Sequence, residues 1–98
     1  MAHRLAPEAR ADIEEIAYYV FEASRSVETA ERLVDAIYGR ILLLGKYPHA
    51  GRQRDDLMPG IRLFPVGDYV VLYRVDANDA VVARVVHGSR DLEGLFEE

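Results

Sequence analysis

Arginine and histidine side chains recur through residues 60–92, GIRLFPVGDYVVLYRVDANDAVVARVVHGSRDL. Three apolar runs carry one arginine each, and the last run ends in a histidine that is followed by another arginine: Arg62, Arg74, Arg84, His87 and Arg90. A guanidinium can bind an anion or stabilise a developing negative charge, and an imidazole can transfer a proton near neutral pH. Solvated or ion-paired side chains would give the same pattern, so residue types alone leave both interpretations open.

Several other kinds of site lack the residues that they need. The chain has no cysteine, which excludes disulfides, thiolate nucleophiles and cysteine metal sites. His3, His49 and His87 are not at metal-ligand spacing, and no glycine-rich phosphate loop occurs, so we expect neither a metal nor a cofactor. The formal net charge is −5, and basic residues do not interleave with the tyrosines, so direct nucleic-acid binding is not expected.

The C-terminal half of the chain predicts an antiparallel sheet. Residues 61–66, 69–75 and 80–87 are each rich in β-branched or aromatic side chains, as strands are. The connections of two and three residues between them allow only antiparallel hairpins. Residues 3–6 could add a short edge strand, whereas residues 48–60 contain two prolines and two glycines and predict an irregular loop.

The N-terminal half predicts two amphipathic helices. The first begins at Pro7, because proline suits the first helical position, and its apolar residues recur every three or four positions. The second begins after Ser26, which can cap it, and ends before Pro48. A short connection makes the helices antiparallel, and each apolar stripe needs the sheet as a partner. The expected architecture is a single α+β domain, residues 1–98, with the order β-α-α-β-β-β: a helical hairpin packed on one face of a mostly antiparallel sheet.

Charge and hydropathy patterns suggest a location and a kind of partner. The N-terminus has no apolar segment typical of a signal peptide, and no run reaches membrane-spanning length, so we expect a cytoplasmic protein that does not bind a membrane. Acidic residues crowd the first third of the chain and arginines fall in the remainder. This asymmetry predicts a local basic surface on an acidic protein.

Four segments together resemble one protein family. They are residues 5–16 (LAPEARADIEEI), 42–52 (LLLGKYPHAGR), 60–75 (GIRLFPVGDYVVLYRV) and 83–92 (ARVVHGSRDL). Their succession is similar to that of the RelE/ParE superfamily of toxins from type II toxin-antitoxin systems, and the FPVGDYVVLYRV and HGSRDLE segments are most similar to the ParE branch. The resemblance implies the β-α-α-β-β-β fold, inhibition of DNA gyrase without enzymatic activity, and neutralisation by a ParD-like antitoxin.

A second activity stays open at this point. The RelE-like members of the superfamily are ribosome-dependent mRNA endoribonucleases, and by position the resemblance gives Arg62 and His87 this role, with Arg90 beside them. The chain has one lysine and no tyrosine after Tyr73, whereas the RNA-cleaving branch usually carries more of both kinds of group. A strand-end histidine that is hydrogen-bonded to a neighbouring carbonyl or carboxylate would explain His87 equally simply, and a binding domain without toxicity is a third interpretation.

The resemblance also implies an antitoxin that folds on the toxin surface. A single helical hairpin would leave the other sheet face and the sheet edges uncovered, so apolar antitoxin side chains could fill a groove there while acidic ones meet arginines. The side chains expected to contact the antitoxin are Tyr18, Tyr19, Leu42, Arg62, Tyr73 and Arg74.

Overall fold

The two predicted helices form a hairpin in the computed structural model, which describes residues 2–96. Helix α1 spans Pro7–Ser24 with the proline at its start, and α2 spans Val27–Lys46. The Ser26 hydroxyl accepts a hydrogen bond of 3.1 Å from the Thr29 N–H, so the predicted cap is confirmed. Arg25 links the helices with a φ of 56° and donates its N–H to the Phe21 carbonyl. No helix in the described residues is both long and apolar enough to cross a membrane.

Five strands form one mixed sheet in the order β1-β5-β4-β3-β2. The three long strands pair antiparallel, β3 with β4 and β4 with β5, as predicted, and β1 pairs parallel with β5 at one edge. The β4–β5 connection has two residues instead of the three expected, because Asp76 already pairs with Asp79. The two residues between them, Ala77 and Asn78, turn the chain with positive φ angles. The strand bounds are His3–Leu5 (β1), Arg52–Gln53 (β2), Ile61–Val66 (β3), Tyr69–Asp76 (β4) and Asp79–His87 (β5).

The structure corrects the prediction of a wholly irregular loop over residues 48–60. Within that stretch β2 pairs antiparallel with β3, with Arg52 opposite Leu63 and Gln53 opposite Arg62. A two-residue strand has no periodicity of its own, so the sequence pattern could not indicate it. The α+β class is unchanged, and the β-α-α-β-β-β order gains one short strand.

The helix-facing side of the sheet carries the larger core. Side chains from both helices pack there against alternate residues of the long strands, because alternation sends every second side chain of a strand to the same face. In β5 the alternation shifts by one residue between Val82 and Val85, where the pairing with β4 is irregular. This core contains Ala9, Ile13, Ile37, Ile41, Leu44, Val66, Val71, Tyr73, Ala80, Val82 and Val85.

The opposite face of the sheet is not left uncovered as the sequence suggested. Ile61, Val70, Leu72 and Val86 form a second buried cluster on that face. Partly buried residues of the C-terminal segment, which ends in a 3₁₀ helix at Glu93–Phe96, pack on the cluster together with a residue of the turn before β3: Leu57, Leu92, Leu95 and Phe96. The back face is therefore covered by short irregular segments, which the predicted helices and strands did not include.

One sheet edge is also partly closed. Strand β1 pairs with β5 only from Ala80 to Val82. Beyond that point the carboxylate of Asp12, on α1, accepts a 3.0 Å hydrogen bond from the Val85 N–H. A side chain thus replaces the missing neighbouring strand where β1 ends.

Candidate functional site

Arg62 holds the loop before β2 against the sheet. Its Nη1 atom donates hydrogen bonds to two backbone carbonyls, 3.2 Å to His49 and 2.7 Å to Gly51. The side chain is half-buried, and it lies opposite Tyr73 in the β3–β4 pairing. Its donors on that nitrogen are therefore already used inside the protein rather than presented to a partner.

His87 ends β5 with an exposed ring. Its Nδ1 atom accepts a 3.1 Å hydrogen bond from the Ser89 N–H and lies 2.7 Å from the Ser89 hydroxyl. The ring also packs edge-on to Tyr69, with centroids 5.3 Å apart and planes at 77°. The partners of this strand-end histidine are thus a backbone N–H and a hydroxyl, rather than the carbonyl or carboxylate expected.

The structure does not bring Arg62 and His87 together. In the sheet register, Arg62 pairs with Tyr73 and His87 pairs with Tyr69, so the two residues lie two strands apart and four positions apart along β4. Strand spacings then separate their Cα atoms by about 16 Å. The Arg62 guanidinium is turned toward the carbonyls near β2, farther from His87. One phosphate group cannot contact both side chains.

Arg90 does share a surface with His87. Both line an open cleft of about 510 Å³ between α1 and the ends of β4 and β5, together with Glu15, Tyr19 and Tyr69. This cleft therefore holds two of the three nuclease candidates.

Arg84 is committed to an ion pair. Its Nε and Nη2 atoms donate to the two carboxylate oxygens of Asp12 at 2.7 and 3.0 Å. Hydrogen bonding to Asp12 is the main reason why the pKa of the Arg84 guanidinium is raised. The predicted basic sheet surface is therefore smaller than the count of arginines indicated.

The structure corrects the prediction for Tyr73, which is one of the six residues expected to contact the antitoxin. Its side chain is fully buried, at 0% exposure, in the core between helices and sheet. The hydroxyl accepts a 2.7 Å hydrogen bond from the Gly51 N–H and donates one of 2.8 Å to the Pro48 carbonyl. A ring enclosed in this way cannot line an exposed groove, so the expectation for Tyr73 is wrong.

Replacing Tyr73 with phenylalanine tests these two hydrogen bonds. It leaves a buried N–H and a buried carbonyl unpaired, and we expect a loss of about 2 kcal/mol in the free energy of unfolding, measured by urea denaturation. Burial raises the pKa of the Tyr73 hydroxyl above 10.0, against smaller opposing effects of the Gly51 N–H and Arg62.

The same substitution should alter the pH dependence of stability. Since only the unfolded chain ionises Tyr73 near pH 10, its contribution is complete below that pH and is lost as pH rises further. The phenylalanine variant should therefore lose less stability than the wild type between pH 10 and 11. Parallel curves for the two proteins would contradict this assignment.

The remaining expected contacts do not form one surface. Tyr18 and Tyr19 on α1 and Leu42 on α2 are exposed by 67%, 67% and 55%, respectively. Arg74 is exposed as well, but it alternates with Tyr73 and pairs with Ile61, whose side chain belongs to the back-face cluster. Arg74 therefore lies on the opposite side of the sheet from the helices.

A groove between the two helices is a feature that sequence reasoning missed. It is open to solvent, has a volume of about 500 Å³, and is formed by α1 from one side and α2 from the other. We call it the hairpin groove. It is lined by Ala17, Phe21, Val27, Ala30, Glu31, Val34 and Asp35. The sequence signal was available, because Ala17, Phe21 and Val27 are apolar helix residues that lie outside the stripes packed on the sheet.

Comparisons with known proteins agree in family and in fold. The model of the family described as the ParE toxin of the type II toxin-antitoxin system parDE matches residues 4–92. Toxin ParE3 of Caulobacter vibrioides is 35% identical over 69 residues, which are 70% of this chain and 69% of that relative. A solved structure, the chromosomal ParDE TA system from P. aeruginosa, superposes with a TM-score of 0.76 at 20% identity over 89% of this chain and 95% of the matched one.

Proposed function

Because the chain belongs to the ParE toxin family of type II toxin-antitoxin systems, we propose that it inhibits DNA gyrase and so blocks replication. The observation that carries the proposal is the family match, which extends over residues 4–92 and leaves no long element of the fold outside it. A gyrase inhibitor acts where the chromosome is, so the proposal includes a cytoplasmic location.

We propose further that inhibition involves binding and no bond-breaking by the toxin. The distance between Arg62 and His87 supports this, since phosphodiester cleavage needs its acid, base and charge-stabilising groups around one phosphate. His87 and Arg90 share a cleft, but Arg62 is hydrogen-bonded elsewhere. No observation on the described residues favours the endoribonuclease over the gyrase inhibitor.

The test is a pair of assays on the purified protein and a His87→Ala variant. We expect both proteins to inhibit supercoiling of relaxed plasmid by gyrase to the same extent, because His87 has no chemical role in the proposal. We expect neither to cleave mRNA on translating ribosomes, as judged by primer extension. Cleavage by the wild type that the His87→Ala variant lacks would overturn the proposal and establish the nuclease.

The proposed partner in the resting state is a ParD-like antitoxin. The exposed side chains of Tyr18, Tyr19 and Leu42 support a contact with the helical hairpin, since a partner bound there would remove their apolar surface from water. Of the arginines expected to take part, Arg74 is exposed and forms no ion pair within residues 2–96, whereas Arg62 is held by carbonyls. Arg74 thus stays a proposed antitoxin contact, and Arg62 is a weaker one.

A further inference from the structure

Basic side chains cluster at the end of α2 and in the loop and strand that follow it. Residues 36–54 contain no aspartate or glutamate, although the formal net charge of the chain is −5. Four basic residues of this segment are exposed and form no ion pair within residues 2–96. We call these four the cationic edge: Arg40, Lys46, His49 and Arg52.

Strand β3 positions the two arginines of the cationic edge. The Arg40 guanidinium lies over the ring of Phe64, with 5.8 Å between its central carbon and the ring centroid. Arg52 is paired with Leu63, the preceding residue of β3, in the ladder between β2 and β3. Adjacent strand residues are about 3.3 Å apart along the strand, so both arginines belong to one short stretch of the sheet. The contact with the ring orients the Arg40 charge and leaves it exposed to solvent.

The end of α2 and the loop after it add the other two side chains. Arg62, next to Leu63 in β3, donates a hydrogen bond to the His49 carbonyl and so anchors His49 beside the same stretch. Lys46 is the last residue of α2, six residues and about 9 Å after Arg40 along the helix. Three separate elements therefore meet at the β2 edge of the sheet and place their basic groups there.

Acidic residues that flank this segment do not neutralise it. Asp56 hydrogen-bonds Arg54 through both carboxylate oxygens, and this lowers the pKa of Asp56 more than the charge of Arg52 does. Asp35 lines the hairpin groove, on the side of α2 that faces α1, whereas the cationic edge lies beside β3. Asp55 keeps its charge and accepts a backbone hydrogen bond within its own turn. The lysine and two arginines of the edge thus outnumber the one nearby unpaired carboxylate.

The shape of the cationic edge favours phosphate over protein as its partner. The hairpin groove and the cleft beside His87 are both lined by other residues, and Tyr47, exposed next to Lys46, lines neither of them. Protein interfaces are anchored by apolar side chains in pockets and are poor in lysine. Arginine and lysine without such a pocket are typical of contacts to phosphate oxygens. Duplex DNA carries one charge per about 1.7 Å of its axis, so a surface about 10 Å across can meet several phosphates.

We infer that the cationic edge contacts the phosphate backbone of the DNA on which gyrase acts, when the toxin is bound to the enzyme. The free protein, with a net charge of −5, binds DNA weakly, and the edge contributes where gyrase holds protein and DNA at a high effective concentration. This inference rests on the proposed inhibition of gyrase. It adds DNA to the inhibited complex and gives the contact a position on the fold.

The test compares binding to gyrase with and without DNA. Biolayer interferometry with the immobilised protein measures its affinity for the gyrase holoenzyme alone and for the holoenzyme bound to a linear duplex. We expect the duplex to strengthen binding by the wild type at least about tenfold, and binding by Arg40→Gln/Arg52→Gln less than about threefold. The variant should keep the wild-type affinity for gyrase alone. Its binding to the DNA-bound enzyme should show a salt slope smaller by about 2, one for each phosphate contact removed.

A second double variant separates the position of the charges from their number. Arg10→Gln/Arg90→Gln removes the same charge from exposed arginines outside the cationic edge, neither of which forms an ion pair in the part of the chain that the structure describes. This variant should keep the gain in affinity that DNA gives to the wild type. Thermal unfolding verifies that both double variants are folded.

The outcomes separate this inference from the proposed function. A wild type that binds gyrase in neither form removes the proposed function, and this inference with it. Binding to gyrase that DNA does not strengthen overturns this inference alone and leaves the cations the role of keeping the sheet edge from pairing with other chains. Loss of affinity for gyrase alone in Arg40→Gln/Arg52→Gln assigns the edge to an acidic protein surface, which also overturns it. Loss of the DNA-dependent gain in Arg10→Gln/Arg90→Gln assigns the gain to total charge, with the same consequence.

Discussion

Replacing Asp12 with alanine will lower the free energy of unfolding by about 3–5 kcal/mol, which is the usual loss when one partner of a largely buried ion pair is removed. Asp12 is only 8% exposed and accepts three hydrogen bonds, two from Arg84 and one from the Val85 N–H. The alanine variant leaves the guanidinium three-quarters buried without its counter-charge and the β5 edge without its acceptor. Urea denaturation monitored by circular dichroism measures the loss, and the midpoint temperature should fall by more than about 10 °C.

Matched variants assign this loss to the ion pair and the strand edge. Glu15→Ala removes an exposed carboxylate from the same helix and should change stability by less than about 0.5 kcal/mol. Arg84→Met removes the charge but keeps the Asp12 bond to Val85, so the double variant Asp12→Ala/Arg84→Met should be less unstable than the sum of the single changes. Additive losses in this cycle would show that Asp12 and Arg84 are not coupled.

The sequence could not predict the role of Asp12. Its position near the start of α1 is typical of an acidic residue that complements the helix dipole, and it lies beside the apolar stripe rather than within it. Its real partners are 72 and 73 residues away along the chain. A pattern of local periodicity contains no information about which strand edge a helix will lie against.

The regular elements were predictable because their signals are local. Pro7, the Ser26 cap and Pro48 determine the helix ends within a few residues, and β-branched runs determine the three long strands. Periodicity also gave the correct helix-facing stripes, including Ile37, Ile41 and Leu44. Antiparallel order followed from short connections, since no other topology fits turns of two residues.

The predictions that failed concern features that depend on contacts between segments distant in the sequence. The back-face cover uses Leu95 and Phe96 of a short 3₁₀ helix and Leu92 directly before it, a segment with no amphipathic period to detect. Tyr73 has the alternation of a strand residue, and only the position of the chain near Gly51 shows that its hydroxyl is enclosed.

Candidate binding residues were the least predictable part for an electrostatic reason. Arg62, Arg74 and Arg84 are equally cationic in the sequence, but the fold pairs Arg84 with a carboxylate, holds Arg62 with carbonyls and leaves Arg74 exposed. A charge that is already neutralised or hydrogen-bonded contributes little to a partner's recognition. The charges available to a partner are therefore a property of the fold.

Replacing Gly51 with alanine should destabilise the protein by about 3–5 kcal/mol, because the position has no room for a methyl group. A Cβ atom there would meet the hydroxyl of Tyr73 and would lie 2.6 and 2.8 Å from ring atoms Cε1 and Cζ. Tyr73 cannot move aside, since it is fully buried among core side chains. Displacing the ring would break the hydrogen bonds that its hydroxyl makes to Gly51 and Pro48, so overpacking and lost hydrogen bonds add together.

Gly39 provides the matched control for this substitution. It lies inside α2, and a Cβ atom there would have no heavy atom within 4 Å. Gly39→Ala should therefore raise the free energy of unfolding by up to about 1 kcal/mol, because alanine loses less backbone entropy in a helix than glycine. Combining Gly51→Ala with Tyr73→Phe removes the hydroxyl from the collision but leaves the ring in the way, so it should recover only part of the loss. Full recovery in urea denaturation would mean that the hydroxyl alone excludes a side chain at position 51, and an unchanged stability of Gly51→Ala would show that the loop and ring are not packed together as described.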